Sequence, residues 1–246
     1  VKKSIIATGV VSLLMSVAHA DVYTDNTGQS SGGGDIASTF DGFDHLDISS
    51  VGVTNDANFI YFSISVVGDI DATNWGKYIV GLDTGRNEGD NSVDPGSWNR
   101  NVDWGRGITD FIGSWADDGG SGAGAELRSY DGSAWGLTDA TYAAGTDIQA
   151  DDSGHSSGVQ LLAVSISALG LSAGDTFDFD IFTTGGGNDP GVDHLSQSGE
   201  STSAWDVQST SGAFLSYTIQ VVPLPSAALA SLLGLGGLVA VRKIRR

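Results

Sequence analysis

The chain has 246 residues, 40% of them hydrophobic and 9% aromatic, which is enough apolar material for a packed core and excludes a disordered, linker-like polypeptide. It contains no cysteine, so disulfides, thiol catalysis and cysteine metal sites are excluded. Thirty acids against eleven bases give a formal charge of −19, and 36 glycines with only 4 prolines fit a chain of many tight turns.

Residues 1–20, VKKSIIATGVVSLLMSVAHA, combine two lysines, an apolar stretch from Ile5 to Val17 and the small-x-small site Ala18-His19-Ala20. That is the layout of a secretory signal peptide, which implies the Sec machinery, a signal peptidase and a mature chain from Asp21. The body, 21–222, holds Lys77, Arg86, Arg100, Arg106 and Arg128 as its only bases against all thirty acids, a charge near −25. Such a surface repels nucleic acid and anionic lipid.

From Asp21 to Asp44 the composition is loop-like, with a Ser/Gly cluster at 30–34. LDISSVGVT (46–54) then alternates, with a phase slip at Ser49-Ser50 that a bulge would absorb, and Asn55 to Asn58 supply a turn into FIYFSISVV (59–67). This pair reads as a hairpin. Further strands are expected over 77–83, 108–115, 125–132, 159–166, 176–182 and 213–222, with a period of two. In TFDFDIF, Phe177, Phe179 and Ile181 should face the core while Asp178 and Asp180 face water; Leu215, Tyr217, Ile219 and Val221 repeat that pattern. No stretch of the body has a helical period over eleven residues. The fold expected is all-β, an antiparallel β-sandwich of jelly-roll type, with a β-barrel or short β-helix as the alternative.

For catalysis there is little material. His45, His155 and His194 lie in no zinc-ligand spacing, and there is no G-x-S-x-G elbow and no P-loop. A hard-cation site has better support. The connection LDTGRNEGDNSVDPGSW offers Asp83, Asn87, Glu88, Asp90 and Asp94, and TTGGGNDPGVDH offers Asn188, Asp189 and Asp193, all oxygen donors on glycine-rich loops of the kind Ca²⁺ takes. The competing reading is that turns alone favour these residues. Of six tryptophans, Trp98 and Trp104 stand with Arg100 and Arg106 in one polar connection, a mixture of flat aromatic faces and hydrogen-bonding groups that suits a glycan or, equally, plugs the end of a core; Trp115 reads as core.

The succession LDISSVGVTNDANFIYFSISVVGDI, NWGKYIVGLDT, SWNR, ITDFIGSW, AELRSYDGSAW and ALGLSAGDTFDFDIF resembles the DOMON-like and family-nine carbohydrate-binding modules over about residues 41–183. The resemblance implies a jelly-roll sandwich and sugar binding, often beside calcium. A methionine-ligated haem, as in haem-binding DOMON domains, is not expected, because the single methionine, Met15, lies in the leader.

Residues 224–241 are uncharged and would span about 27 Å as a helix at ~1.5 Å per residue, close to the ~30 Å of a bilayer core. RKIRR follows, a basic cluster that holds its end in the cytoplasm and leaves the acidic body outside. Val222-Pro223-Leu224-Pro225, the apolar run and the basic end together resemble the PEP-CTERM sorting signal, whose usual spelling has Glu where this chain has Leu224. The resemblance implies transient anchoring of residues 223–246 in the inner membrane, cleavage by an exosortase near Pro223, Leu224 and Pro225, and transfer of the body to the cell surface or extracellular matrix. The expectation is therefore an exported, non-enzymatic protein that binds or associates with extracellular polysaccharide. The alternatives are a structural matrix protein without a ligand site and a secreted glycoside hydrolase.

Overall fold

The computed structural model describes residues 20–73, 75–90, 98–116, 124–143 and 146–222. Of the leader expected over 1–20 all but Ala20, and the whole of the sorting tail expected over 223–246, lie outside these residues, and so does Asp94. Among the described residues no helix is long and apolar enough to cross a membrane.

The structure is all-β. Its strands are β1 (Asp21–Thr24), β2 (Ile48–Asn55), β3 (Phe59–Val66), β4 (Lys77–Asp83), β5 (Val102–Asp103), β6 (Asp110–Trp115), β7 (Gly124–Tyr130), β8 (Trp135–Ala140), β9 (Ile148–Asp151), β10 (Val159–Ser165), β11 (Thr176–Thr184), β12 (Asp193–His194), β13 (Ser209–Thr210) and β14 (Leu215–Thr218). One antiparallel sheet runs β1-β2-β3-β10-β9. The other runs β12-β11-β4-β6-β7-β8, with β14 also paired to β11. The parallel pair β13-β5 stands apart.

The two large sheets share one core. Val51, Val53, Ile60, Phe62, Ile64, Leu162 and Val164 from the first meet Tyr78, Val80, Leu82, Ile112, Leu127, Phe179 and Ile181 from the second. The strict alternation in β3 and β11 explains why: every second side chain points inward, and β-branched and aromatic residues fill those places. The bulge expected at Ser49-Ser50 is present, as a register slip between Ile48 and Ser50 against β3. It lets Ile48 join the core with Val51 and Val53, although strict alternation would put them on opposite faces.

Three expectations are corrected. The segment 21–44 is not all loop: β1 pairs with β2, and 3-10 turns at Ser38–Phe40 and Asp44–Leu46 help bury Phe40, His45 and Leu46. The last strand is shorter than expected, and Val221 is exposed instead of lying in the core. The reverse face of the second sheet is not left to water, since Asp180 is fully buried there.

That reverse face is covered by the connection between β4 and β6. Trp104, Val102 and Ile108 from the connection pack on Ile79, Phe111 and Phe182 of the sheet, with Trp98, Trp135 and Phe214 at the margin. Glycines on the strands make room for the indoles. A Cβ on Gly81 would come 2.5 Å from Trp104, one on Gly113 2.5 Å from Trp98, and one on Gly124 2.1 Å from Trp115. Each tryptophan therefore fills a slot that only the missing side chain leaves open.

Candidate functional site

The strongest chemical feature is a group of buried carboxylates where the opening segment meets the edge of the second sheet. Asp25 follows β1, Asp35 ends a tight loop, Asp47 precedes β2, and Asp193 begins β12. One carboxylate oxygen from each of Asp25, Asp35 and Asp193 lies within 4.8 Å of the others. The loop that presents Asp35 is closed on its own backbone: Ser30 N–H donates to Ile36 O at 2.9 Å, and Ile36 N–H to Gly28 O at 3.0 Å. Gly34 is required there, since a Cβ would sit 2.2 Å from Gly28 O. Asp193 is placed by the Ile48 N–H, which donates to its Oδ2 at 2.6 Å, and Asp47 by the Gly28 N–H, 2.7 Å from its Oδ2.

Hydrogen bonding stops short of satisfying the group. Asp25 Oδ2, both oxygens of Asp35 and Asp47 Oδ1 are buried and accept no hydrogen bond. Ionised carboxylates no more than 4.8 Å apart would repel by at least about 3 kcal/mol per pair at an effective dielectric of about 20. Accordingly burial, then the charge of Asp35, pushes the Asp25 carboxyl up to about 8. Burial raises Asp35, while the nearby Asp25 carboxyl and Asp35's own backbone N–H, neither in hydrogen-bond geometry, act the other way. Asp47 is pushed up to about 6, first by burial, against the Gly28 N–H and with the charges of Asp35 and Asp44. Asp193, wholly buried, is raised well above the carboxylate range by burial and then by Asp25 and Asp35. Among the described residues, no base contributes a compensating charge to any of the four.

Among the described residues, cation ligands expected in the connection after β4 have other partners. Asp83 is paired to Arg106; Asn87 accepts from Gly89 N–H at 2.7 Å and donates to Tyr130 O at 3.1 Å; Asp90 accepts from Trp135 Nε1 at 2.6 Å. Those side chains hold the connection against the sheet. Of the second expected loop, Asp193 does reach an acidic group, but its companions there are Asp25 and Asp35. Nothing in the local spacing could reveal that, since the partners lie some 160 residues upstream in a stretch that reads as turns.

The residues read as a glycan site are divided. Trp104 is 1% exposed and Arg100 5%, so neither offers a face to a sugar in this conformation. Arg106 bridges Asp83 and Asp178 and lies over the Phe214 ring at 5.0 Å. Trp98 is half-buried, and its neighbours are of another kind. Its ring centroid is 6.1 Å from that of Trp115, which is 6.2 Å from that of Tyr142. Glu126 ties this row together, accepting from Trp98 Nε1 at 2.9 Å, Tyr142 Oη at 2.7 Å and Arg128 Nε at 2.8 Å. Trp115, expected as core, is half-buried here, and Tyr142 is 63% exposed.

A third arrangement has the hydrogen-bond order of a hydrolytic triad. His194 Nδ1 lies 2.7 Å from Asp180 Oδ2, and His194 Nε2 lies 3.1 Å from Ser209 Oγ. All three residues are wholly buried, and the Gly191 N–H donates to Ser209 Oγ at 2.8 Å. A nucleophile needs reach to its substrate as well as a base. With the His194 ring stacked on Phe182 at 4.9 Å, this reads as a structural polar network that ties β11, β12 and β13 together.

No family model and no curated protein matches the chain.

Proposed function

We propose that the chain is an exported, non-catalytic, jelly-roll-like sandwich that associates with extracellular polysaccharide at the cell surface or in the matrix. The leader, the anionic body and the three-part tail support export followed by exosortase processing. The observation that carries the ligand reading is the row Trp98, Trp115 and Tyr142, held by Glu126 on the outer side of the second sheet. Flat C–H faces of sugar rings stack on such a row, while Glu126 and Arg128 meet hydroxyl groups beside it. A body charge near −25 favours neutral glycans, or acidic ones bridged by cations.

The hydrolase alternative has less support. The close carboxylates Asp35 and Asp193 are 1% and 2% exposed, and the cleft beside Asp47 is only about 70 Å³, too small to hold a sugar chain.

Affinity electrophoresis through gels carrying neutral or acidic polysaccharides tests the reading. Retardation of the wild-type chain by at least one polysaccharide, reduced ten-fold or more by Tyr142→Ala, is expected. Tyr61→Ala serves as the comparison, since Tyr61 rims a concavity of about 340 Å³ on the opposite sheet. Retardation lost in Tyr61→Ala but kept in Tyr142→Ala would overturn the assignment to the aromatic row.

A further inference from the structure

We propose that Asp25, Asp35 and Asp193 hold one divalent cation of the calcium class, which fastens the opening segment 25–47 to the edge of the second sheet. This site is separate from the aromatic row and stands whether or not that row binds sugar. Acidic residues gather on many surfaces without a ligand; here two further observations point to one. Asp35 is 1% exposed, and neither of its carboxylate oxygens accepts a hydrogen bond. Asp25 Oδ2, a member of the same trio, is likewise buried and accepts no hydrogen bond. A buried carboxylate without donors is unfavourable, and a cation supplies what the donors do not.

The donor set selects the class of ion. All the donors are carboxylate oxygens, with no histidine among them and no cysteine in the chain, which disfavours zinc and copper. The three carboxylates come from separate points of the chain, two of them on irregular backbone, so the shell has no rigid octahedral frame of the kind Mg²⁺ demands; Ca²⁺ accepts six to eight oxygens in flexible geometry. A small cleft lined by Gly28, Gln29, Ile36, Asp44 and Asp47 opens beside the loop that presents Asp35.

Two of the three ligands belong to the opening segment and one to β12, so the ion works as a clasp. With it, the segment's own apolar residues, Ile36, Ala37 and Phe40, are held on Val192 and Trp205. Without it, carboxylates that repel each other are what the segment must bring together. Affinity in the range of about 0.1–1 mM is what extracellular calcium modules show, and it would leave the clasp open in the cytoplasm and closed after export.

The test is calorimetric titration of the chelator-stripped full-length chain with CaCl2, MgCl2 and ZnCl2 in turn, alongside limited proteolysis. Expected are one Ca²⁺ per chain, at least ten-fold weaker Mg²⁺, no tighter Zn²⁺, and calcium-dependent protection of 25–47. Asp35→Asn should weaken Ca²⁺ at least a hundred-fold while its circular dichroism stays that of wild type, because the swap keeps shape and removes a repelling charge. Asp83→Asn, which changes an acid outside the group, should bind as wild type does. No saturable Ca²⁺ binding by folded wild-type protein, tighter binding of Zn²⁺, or undiminished Ca²⁺ binding by Asp35→Asn would each overturn the proposal.

Discussion

Replacing Gly81 by alanine tests whether the second sheet is closed on its outer side by tryptophans seated over glycines. The added Cβ would lie 2.5 Å from Trp104 Cη2 and Cζ3 and 3.1 Å from Cε3. Either the strand or the indole must give by about 1 Å to restore van der Waals contact. The indole has little room: it is 1% exposed, and its ring centroid is 5.2 Å from Phe182, 6.0 Å from Phe214 and 6.3 Å from His194. If the ring stays, overpacking costs about 1–3 kcal/mol. If it is expelled, re-exposing ~150–250 Å² of aromatic surface at ~25 cal/mol per Å² costs about 4–6 kcal/mol. Gly136 in β8 is the internal control, since a Cβ there meets nothing within 4 Å. Its alanine variant should be neutral or more stable by up to about 1 kcal/mol. Urea unfolding followed by circular dichroism and tryptophan emission reads both. A Gly81→Ala protein within about 0.5 kcal/mol of wild type, with unchanged emission, would refute the seating argument.

Ser209→Ala leaves the Gly191 N–H and His194 Nε2 buried without a partner. It should cost about 1–3 kcal/mol in thermal or urea unfolding. Labelling of Ser209 by a phosphonylating serine-hydrolase probe would contradict its structural role. Desolvation raises the Asp56 carboxyl, but the Asn58 and Phe59 N–H groups and the Tyr61 hydroxyl outweigh it and hold the group below its ordinary value. A depressed carboxylate contributes stability that is present above its unfolded value of 3.8 and is lost as pH falls through the folded value. Asp56→Asn should therefore lower the melting temperature at neutral pH and converge with wild type as pH falls through the folded value, which flattens the acid limb below pH ~4 in a melting-temperature series across pH. An unchanged acid limb would contradict the turn's dependence on charge.

How much of this was legible in the sequence depends on the range of the information. The hairpin β2-β3 and its bulge follow from adjacent residues, and so do the inward faces of β4 and β11, because alternation is local. The short strands β1, β8 and β9 were missed: DVYT, WGLTDA and IQAD carry weak alternation and are strands because neighbours pair with them. Asp180 looked solvated by the same alternation rule, yet the connection after β4 folds over its face. The acidic group was hidden for a related reason. Asp25 and Asp35 sit where turns favour aspartate in any case, and the residue that gives them meaning is Asp193. Gly81, Gly113 and Gly124 were the overlooked signal for the tryptophans. Glycine inside a strand marks a close approach, and six tryptophans were available to make it.

The central claim, a cation-clasped exported sandwich that associates with polysaccharide, is tested most directly by a polysaccharide array probed with the purified chain in calcium and in chelator, with melting temperature read in both. The account predicts binding to at least one polysaccharide in calcium and a lower melting temperature on chelation. No polysaccharide bound under either condition, together with a melting temperature indifferent to calcium, would contradict it.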